Sequence, residues 1–199
     1  MEQLAPYNPF IGQHLLTHAE GITADRAYIA HYVIPAAKAV AAGAANVLAA
    51  TELTAEELEI TEGITQPPTP RVLSITGNAG DITGNVTIAG TDIAGAAITD
   101  TIAASGTSTV VGAKAFATVS KITLPTKTGE ATETISVGLS HAFGLPYNLP
   151  CDTVLKIYNN GTETTVAAGS SFSASDLAAN YIKPTVALSG HQVDVYLIV

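Results

Sequence analysis

From Arg71 to Leu149 the chain is built of short Thr/Val/Ile runs, each closed by Gly, Asn, Asp or Pro. Runs of about four to seven residues at this spacing, bounded by turn residues, mark an all-β sandwich or barrel. Strands are predicted at 72–76, 85–89, 97–103, 107–111, 115–124, 133–138, 154–158, 163–167, 185–188 and 192–199. Two of them alternate clearly. Ile98 and Ile102 share a face opposite Thr99 and Thr101, and Val193, Val195, Leu197 and Val199 share one opposite Gln192, Asp194 and Tyr196. Period two turns the apolar set toward a core and leaves Thr and Asp outside. A final run this apolar predicts a strand central in its sheet or buried at a subunit contact. Asn160-Gly161, between two short β-prone runs, is the strongest hairpin signal, because both residues tolerate positive φ. A single helical turn is predicted within 173–180, capped by Ser173 or Ser175.

Outside this block the pattern weakens, and three zones result. Residues 1–23 read as an extended N-terminal arm, since Pro6 and Pro9 oppose a regular element. Its apolar residues Leu4, Tyr7, Phe10, Ile11, Leu15 and Leu16 are candidate anchors. They suit either an arm docked on a neighbouring subunit or partner, or a strap across its own domain. Residues 24–70 form a β-prone or irregular segment that packs on the main domain and ends in a stiff connector of Pro67, Pro68 and Pro70. Alanine richness at 36–50 favours helix by propensity, but Gly43 interrupts it and no amphipathic face emerges. Thr54-Ala55-Glu56-Glu57 suits a short helical turn with Thr54 as N-cap. Residues 71–199 form the main domain. The expected fold is therefore all-β, a β-sandwich or jelly-roll-like domain with an extended N-terminal arm and little helix.

Composition narrows the function. Charged residues are only 13% of the chain, about half the usual share, so the solvent face is neutral and suited to being covered by a partner. The net charge of −9, with no basic run, argues against nucleic-acid binding. The single cysteine, Cys151, excludes an intrachain disulfide and reads as a small buried hydrophobe. A catalytic thiol would want a partner His, and nothing in the sequence brings His141 to it. The start, MEQLAPYNPF, lacks a basic region followed by an apolar one, and the Ala-rich 36–50 stretch is too short to span a bilayer. A soluble chain made in the cytoplasm, without a signal peptide and without membrane contact, is expected.

No catalytic or ligand-binding constellation stands out. His14 and His18 have the i, i+4 spacing of a helical metal pair, but no third ligand follows. Glu56, Glu57 and Glu59 read as a solvated acidic face. Asp81, Asp92 and Asp100 lie near turns without a calcium-loop pattern. The Gly77–Gly80 and Gly90–Asp92 loops lack the Lys-Ser/Thr of a phosphate loop. There is no Trp for a sugar platform, and the seven tyrosines suit core edges or interfaces. No enzyme activity, metal or cofactor is expected.

Several segments nevertheless resemble small virion proteins of tailed bacteriophages and prophages, typically encoded near the major capsid protein. The resemblance rests on HYVIPAAKAVAA, on the Pro68–Arg71 PTPR, on GNAGDITGNV, on GTDIAGAAITDTI from Gly90 to Ile102, on GTSTVVGAKAF from Gly106 to Phe116, and on GLPY at 144–147. It covers about residue 30 onward. It implies a structural role: a capsid decoration (cement) protein that binds the outside of the major capsid protein shell, or else a tail, neck or head-fibre component. It also implies a homo-oligomer, with a trimer expected from shell symmetry, and localisation in the virion. It carries no catalytic residues. A cell-surface β module that binds carbohydrate or protein is the competing class.

Overall fold

A computed structural model describes residues 15–16, 23–24, 27–129 and 132–199. Fifteen strands follow one another: β1 (Leu15–Leu16), β2 (Thr23–Ala24), β3 (Ile29–Ile34), β4 (Gly43–Glu52), β5 (Leu58–Ile60), β6 (Arg71–Gly77), β7 (Asn85–Thr91), β8 (Ala97–Ala103), β9 (Val110–Phe116), β10 (Thr118–Leu124), β11 (Thr134–Gly144), β12 (Val154–Asn159), β13 (Thr162–Thr164), β14 (Tyr181–Ile182) and β15 (Val193–Ile198). The only helical elements among the described residues are two 3-10 turns, Ala36–Lys38 and Leu177–Ala179. The fold is all-β and sandwich-like, and every strand pairing is antiparallel.

Two sheets form the first sandwich. One has the order β5-β10-β7-β8, the other β14-β11-β6-β9 with β4 also on β11. Their inner faces follow the two-residue period: Val86 and Ile88 with Ile122 and Leu124 on one side, Leu73 and Ile75 with Ile135, Val137 and Leu139 on the other. The four-stranded sheet β13-β12-β15-β3 closes a second core with Phe143, Leu145, Leu149, Ile182 and Leu188. β11 serves both cores. Its early residues Ile135–Leu139 face the first, and Phe143 faces the second.

The strand readings hold where turn residues border them. β8 occupies the predicted span, and Asn160-Gly161 forms the β12–β13 turn with φ of 54° and 73°. β15 is central, between β12 and β3, with Val193, Val195 and Leu197 buried. The differences have physical reasons. The predicted strand at 115–124 is two strands: Phe116 and Val119 both enter the first core, which one straight strand of period two forbids, so the chain crosses between sheets at Ala117. The strand predicted at 107–111 starts later, because 105–108 is a tight turn with Gly106 at φ 57°. Residues 185–188 form no strand, although Leu188 is buried. The Ala-rich segment resolves into a 3-10 turn and β4, not one helix. Thr54 caps no helix; its hydroxyl donates to the Glu56 carbonyl in a bend. The turn at 177–179 is capped by Asp176, which accepts from Ala178 N–H, while Ser173 Oγ accepts from Ser175 and Asp176 N–H just upstream. Asp100 is buried on the Ile98/Ile102 face, not outside, and accepts from the Ala113 and Lys114 N–H groups at 2.7 and 3.2 Å.

Glycine is mandatory where β4 crosses β11. A Cβ on Gly138 would fall on the backbone of Gly43 and Ala44, and backbone cannot rotate away as a side chain can. Gly138→Ala should therefore cost about 1–3 kcal/mol, read as a lower urea midpoint with an unchanged denaturant slope.

Candidate functional site

Two surfaces stand out, a groove on the outer face of the β11-centred sheet and the outer face of the C-terminal sheet. The groove begins with an irregularity in β11. Leu139 pairs with Leu73 and Phe143 with Arg71, so Ser140, His141 and Ala142 stand opposite Val72 alone. A bulge of this kind bends its strand and re-aims side chains. It is what turns β11 from the first core to the second. Arg71 holds it. Its guanidinium is fully buried, donates to the Val40 carbonyl at 2.8 Å and to the Ser140 carbonyl, and leaves Nε without a partner. No ion pair to Arg71 occurs among the described residues. Burial alone lowers its pKa to about 10.

Above the bulge lies a cavity of about 560 Å³, in the size range of small-ligand sites. Small residues (Ala42, Gly43, Ser74, Gly112, Ala142, Gly169) leave the space, and the exposed Val111 supplies apolar wall. Its charged or titratable lining groups are His141, Tyr181 and Lys183. The buried His141 Nδ1 has no hydrogen-bond partner. Burial, then the charges of Arg71 and Lys183, hold His141 below the ordinary imidazole range. Burial likewise raises the Tyr181 phenol, against the opposing effect of a hydrogen bond with the Ser171 side chain.

The outer face of the C-terminal sheet is different in kind. Register places Ile29 beside Ile198, His31 beside Tyr196, and Val33 beside Asp194. The His31 ring stacks on Tyr196 at 4.4 Å and lies 2.8 Å from Asp194 Oδ1, and Tyr158 meets Tyr196 edge-on. Lys156 pairs with Glu163 at the far side. Of the eight exposed large hydrophobic residues among those described, six (Tyr28, Ile29, Val33, Leu155, Ile198 and Val199) lie on this sheet or directly adjoin it, with Ile29 68% exposed. Such clustering is the signature of a surface meant to be covered, whereas scattered single residues are not.

The residues singled out from sequence fall as follows. Leu4, Tyr7, Phe10 and Ile11 lie outside the described residues, as do His14 and His18. Leu15–Leu16 form β1, paired with β2. Cys151 is exposed, not the buried hydrophobe expected; it sits between Pro150 and Asp152 in a surface loop, away from either core. Asp92 accepts from Ala94 and Ala96 N–H, 2.9 Å each, and so serves its own turn. Glu59 pairs with Lys121 at 2.8 Å. No group of three or more His, Cys, Asp or Glu that could hold a metal occurs among the described residues, and no described helix is long and apolar enough to cross a membrane. Arg71 and the Ser140–Ala142 bulge were missed because a charged residue opening a strand, and a bulge, leave no periodic signal. Glu133 was missed as well. It is fully covered, though by a single loop, and the N–H groups of Thr128 and Gly129 with the Thr128 hydroxyl keep its carboxyl below the usual range.

The chain matches no protein-family model, no curated protein and no solved structure.

Because His141 resists protonation in the folded state, the unfolded chain binds a proton first as pH falls. Stability should then decline as pH drops from the ordinary imidazole value, about 6.5, through the lower folded one. His141→Gln should remove that part of the pH dependence while leaving stability near pH 8 little changed, as checked by urea melts across pH 5 to 8.

Proposed function

We propose that this chain is a virion structural protein, a capsid decoration protein that binds the outside of the shell formed by a major capsid protein and stabilises it, acting by surface contact and not by catalysis. The observation that carries the reading is the exposed apolar and aromatic face of the C-terminal sheet. It is broad, rigid and built on paired strands, so covering it costs little conformational entropy beyond a few surface side chains. The resemblance of the 68–116 segments to small phage virion proteins supports the same reading, and most of those segments form β6 to β9 of the first sandwich. A low-charge surface suits repeated contacts with chemically similar patches of a symmetric shell, where a trimer closes naturally.

The discriminating experiment is cryo-electron microscopy of assembled particles from producing cells. Density bridging capsomers on the outside of the shell, with the β3–β15 face inward, is the expected result. Density at the tail, neck or a head fibre would assign the chain there instead. Absence from every particle would overturn the virion reading and leave a cell-surface binding module as the alternative. Within the expected case, Ile29→Lys with Val33→Lys should weaken binding to purified shells by at least about tenfold, since both side chains are already in water and the body keeps its fold.

A further inference from the structure

The groove over the β11 bulge carries a cationic side chain with no carboxylate partner. The protein carries a net charge of −9, and Lys114, Lys121 and Lys156 each have a carboxylate partner. Lys183 has none among the described residues, and it lines the groove. Arg71 lies directly behind the wall, bonded to the carbonyl of the lining residue Ser140. No described carboxylate lines the groove. Asp100, packed behind Gly112, is already committed to two backbone N–H groups. A buried guanidinium with no counter-ion, beside an unpaired ammonium and an unpartnered imidazole nitrogen, gives this wall a local positive field, offset in part by the Asp100 carboxylate behind Gly112.

We propose that this groove is a binding site for a small organic carboxylate, whose anionic head meets Lys183 and His141 above Arg71 and whose compact apolar body rests on Val111 and Ala142. Carboxylate is favoured over phosphate by the donor set. One accessible ammonium and one imidazole match a monoanion, whereas phosphate recognition uses several converging donors or a bidentate guanidinium. Here the guanidinium is turned to the Val40 and Ser140 carbonyls and acts only through its field. The alanine and glycine lining gives the apolar body room that a polar head alone would not need. The site is independent of the virion reading, since none of its lining residues belongs to β3 or β15.

The test is an NMR titration of the full chain at constant ionic strength, with butyrate, benzoate and inorganic phosphate as separate probes, following the His141 imidazole with His191, which does not line the groove, as an internal control. Butyrate or benzoate should move His141 and not His191, with millimolar or tighter affinity. Lys183→Gln should weaken this by about fivefold or more, the equivalent of roughly 1 kcal/mol, Lys183→Arg should largely restore it, and Lys121→Gln should leave it unchanged. Lys183 is exposed, so these variants keep the fold. A response to phosphate alone would overturn the carboxylate assignment. Equal movement of both histidines, no movement with any probe, or full affinity in Lys183→Gln would overturn the site.

Discussion

Arg71 is the residue on which the arrangement turns. A guanidinium taken wholly out of water needs partners for its donors; here two of them reach the Val40 and Ser140 carbonyls, while the Nε–H is left without one. Those two carbonyls belong to different parts of the chain, the approach to β4 and the bulge in β11. One side chain thereby fixes where β11 leaves the first core and where β4 begins. The bulge cannot relax into a regular ladder without stranding that charge. The sandwich, the second core and the groove between β11, β9 and β14 are all consequences of this one fixed point.

The two cores then divide the work of the molecule. The first sandwich is closed on its inner faces by aliphatic side chains and offers its outer sheet as a shallow concave surface. The second, smaller core supports the C-terminal sheet, whose outer face mixes the exposed Ile29, Val33 and Ile198 with His31, Asp194, Lys156 and Glu163. Several carboxylates are spent on structure: Asp92 and Asp176 on turns, Asp100 and Glu133 on backbone amides, Glu59 and Glu163 on lysines.

How much of this was legible in the sequence depended on whether a feature is local. β8 and β15 could be read because alternation is a property of consecutive residues. The β12–β13 turn could be read because Asn160-Gly161 carries its own conformational preference. β4 could not: a run of Ala, Asn and Val has no alternation to detect, and its strand state comes from pairing with β11 far along the chain. Cys151 followed the general burial tendency of thiols and was misread, since neighbouring Pro150 and Asp152 place it in a loop. The groove was the least visible part. His141 looked isolated, and Arg71 looked like an ordinary polar residue at a strand start, because what joins them to Lys183 is sheet register, which no window of sequence contains. The outer apolar face was not legible: alternation in β15 marked the buried side of Val193, Val195 and Leu197 and set Tyr196 opposite it, and the presence of Ile29 and Val33 beside Ile198 and Tyr196 required knowing that β3 pairs there.

That pairing sets a timetable. Ile29 lies beside Ile198, and Tyr28 and Val199 exchange backbone hydrogen bonds at 3.0 and 2.9 Å. β3 leaves the ribosome early yet finds its partner only after nearly the whole of the rest has been made, since closing so long a loop waits on both ends. Until then its Ile29, Tyr32 and Ile34 have no sheet to join. The first sandwich, by contrast, has all its strands by residue 144 apart from the two-residue β14. Synthesis therefore imposes an order of assembly: the strands of the first sandwich are available first, and the C-terminal sheet, with its exposed Ile29 and Ile198, closes only after β15 has emerged.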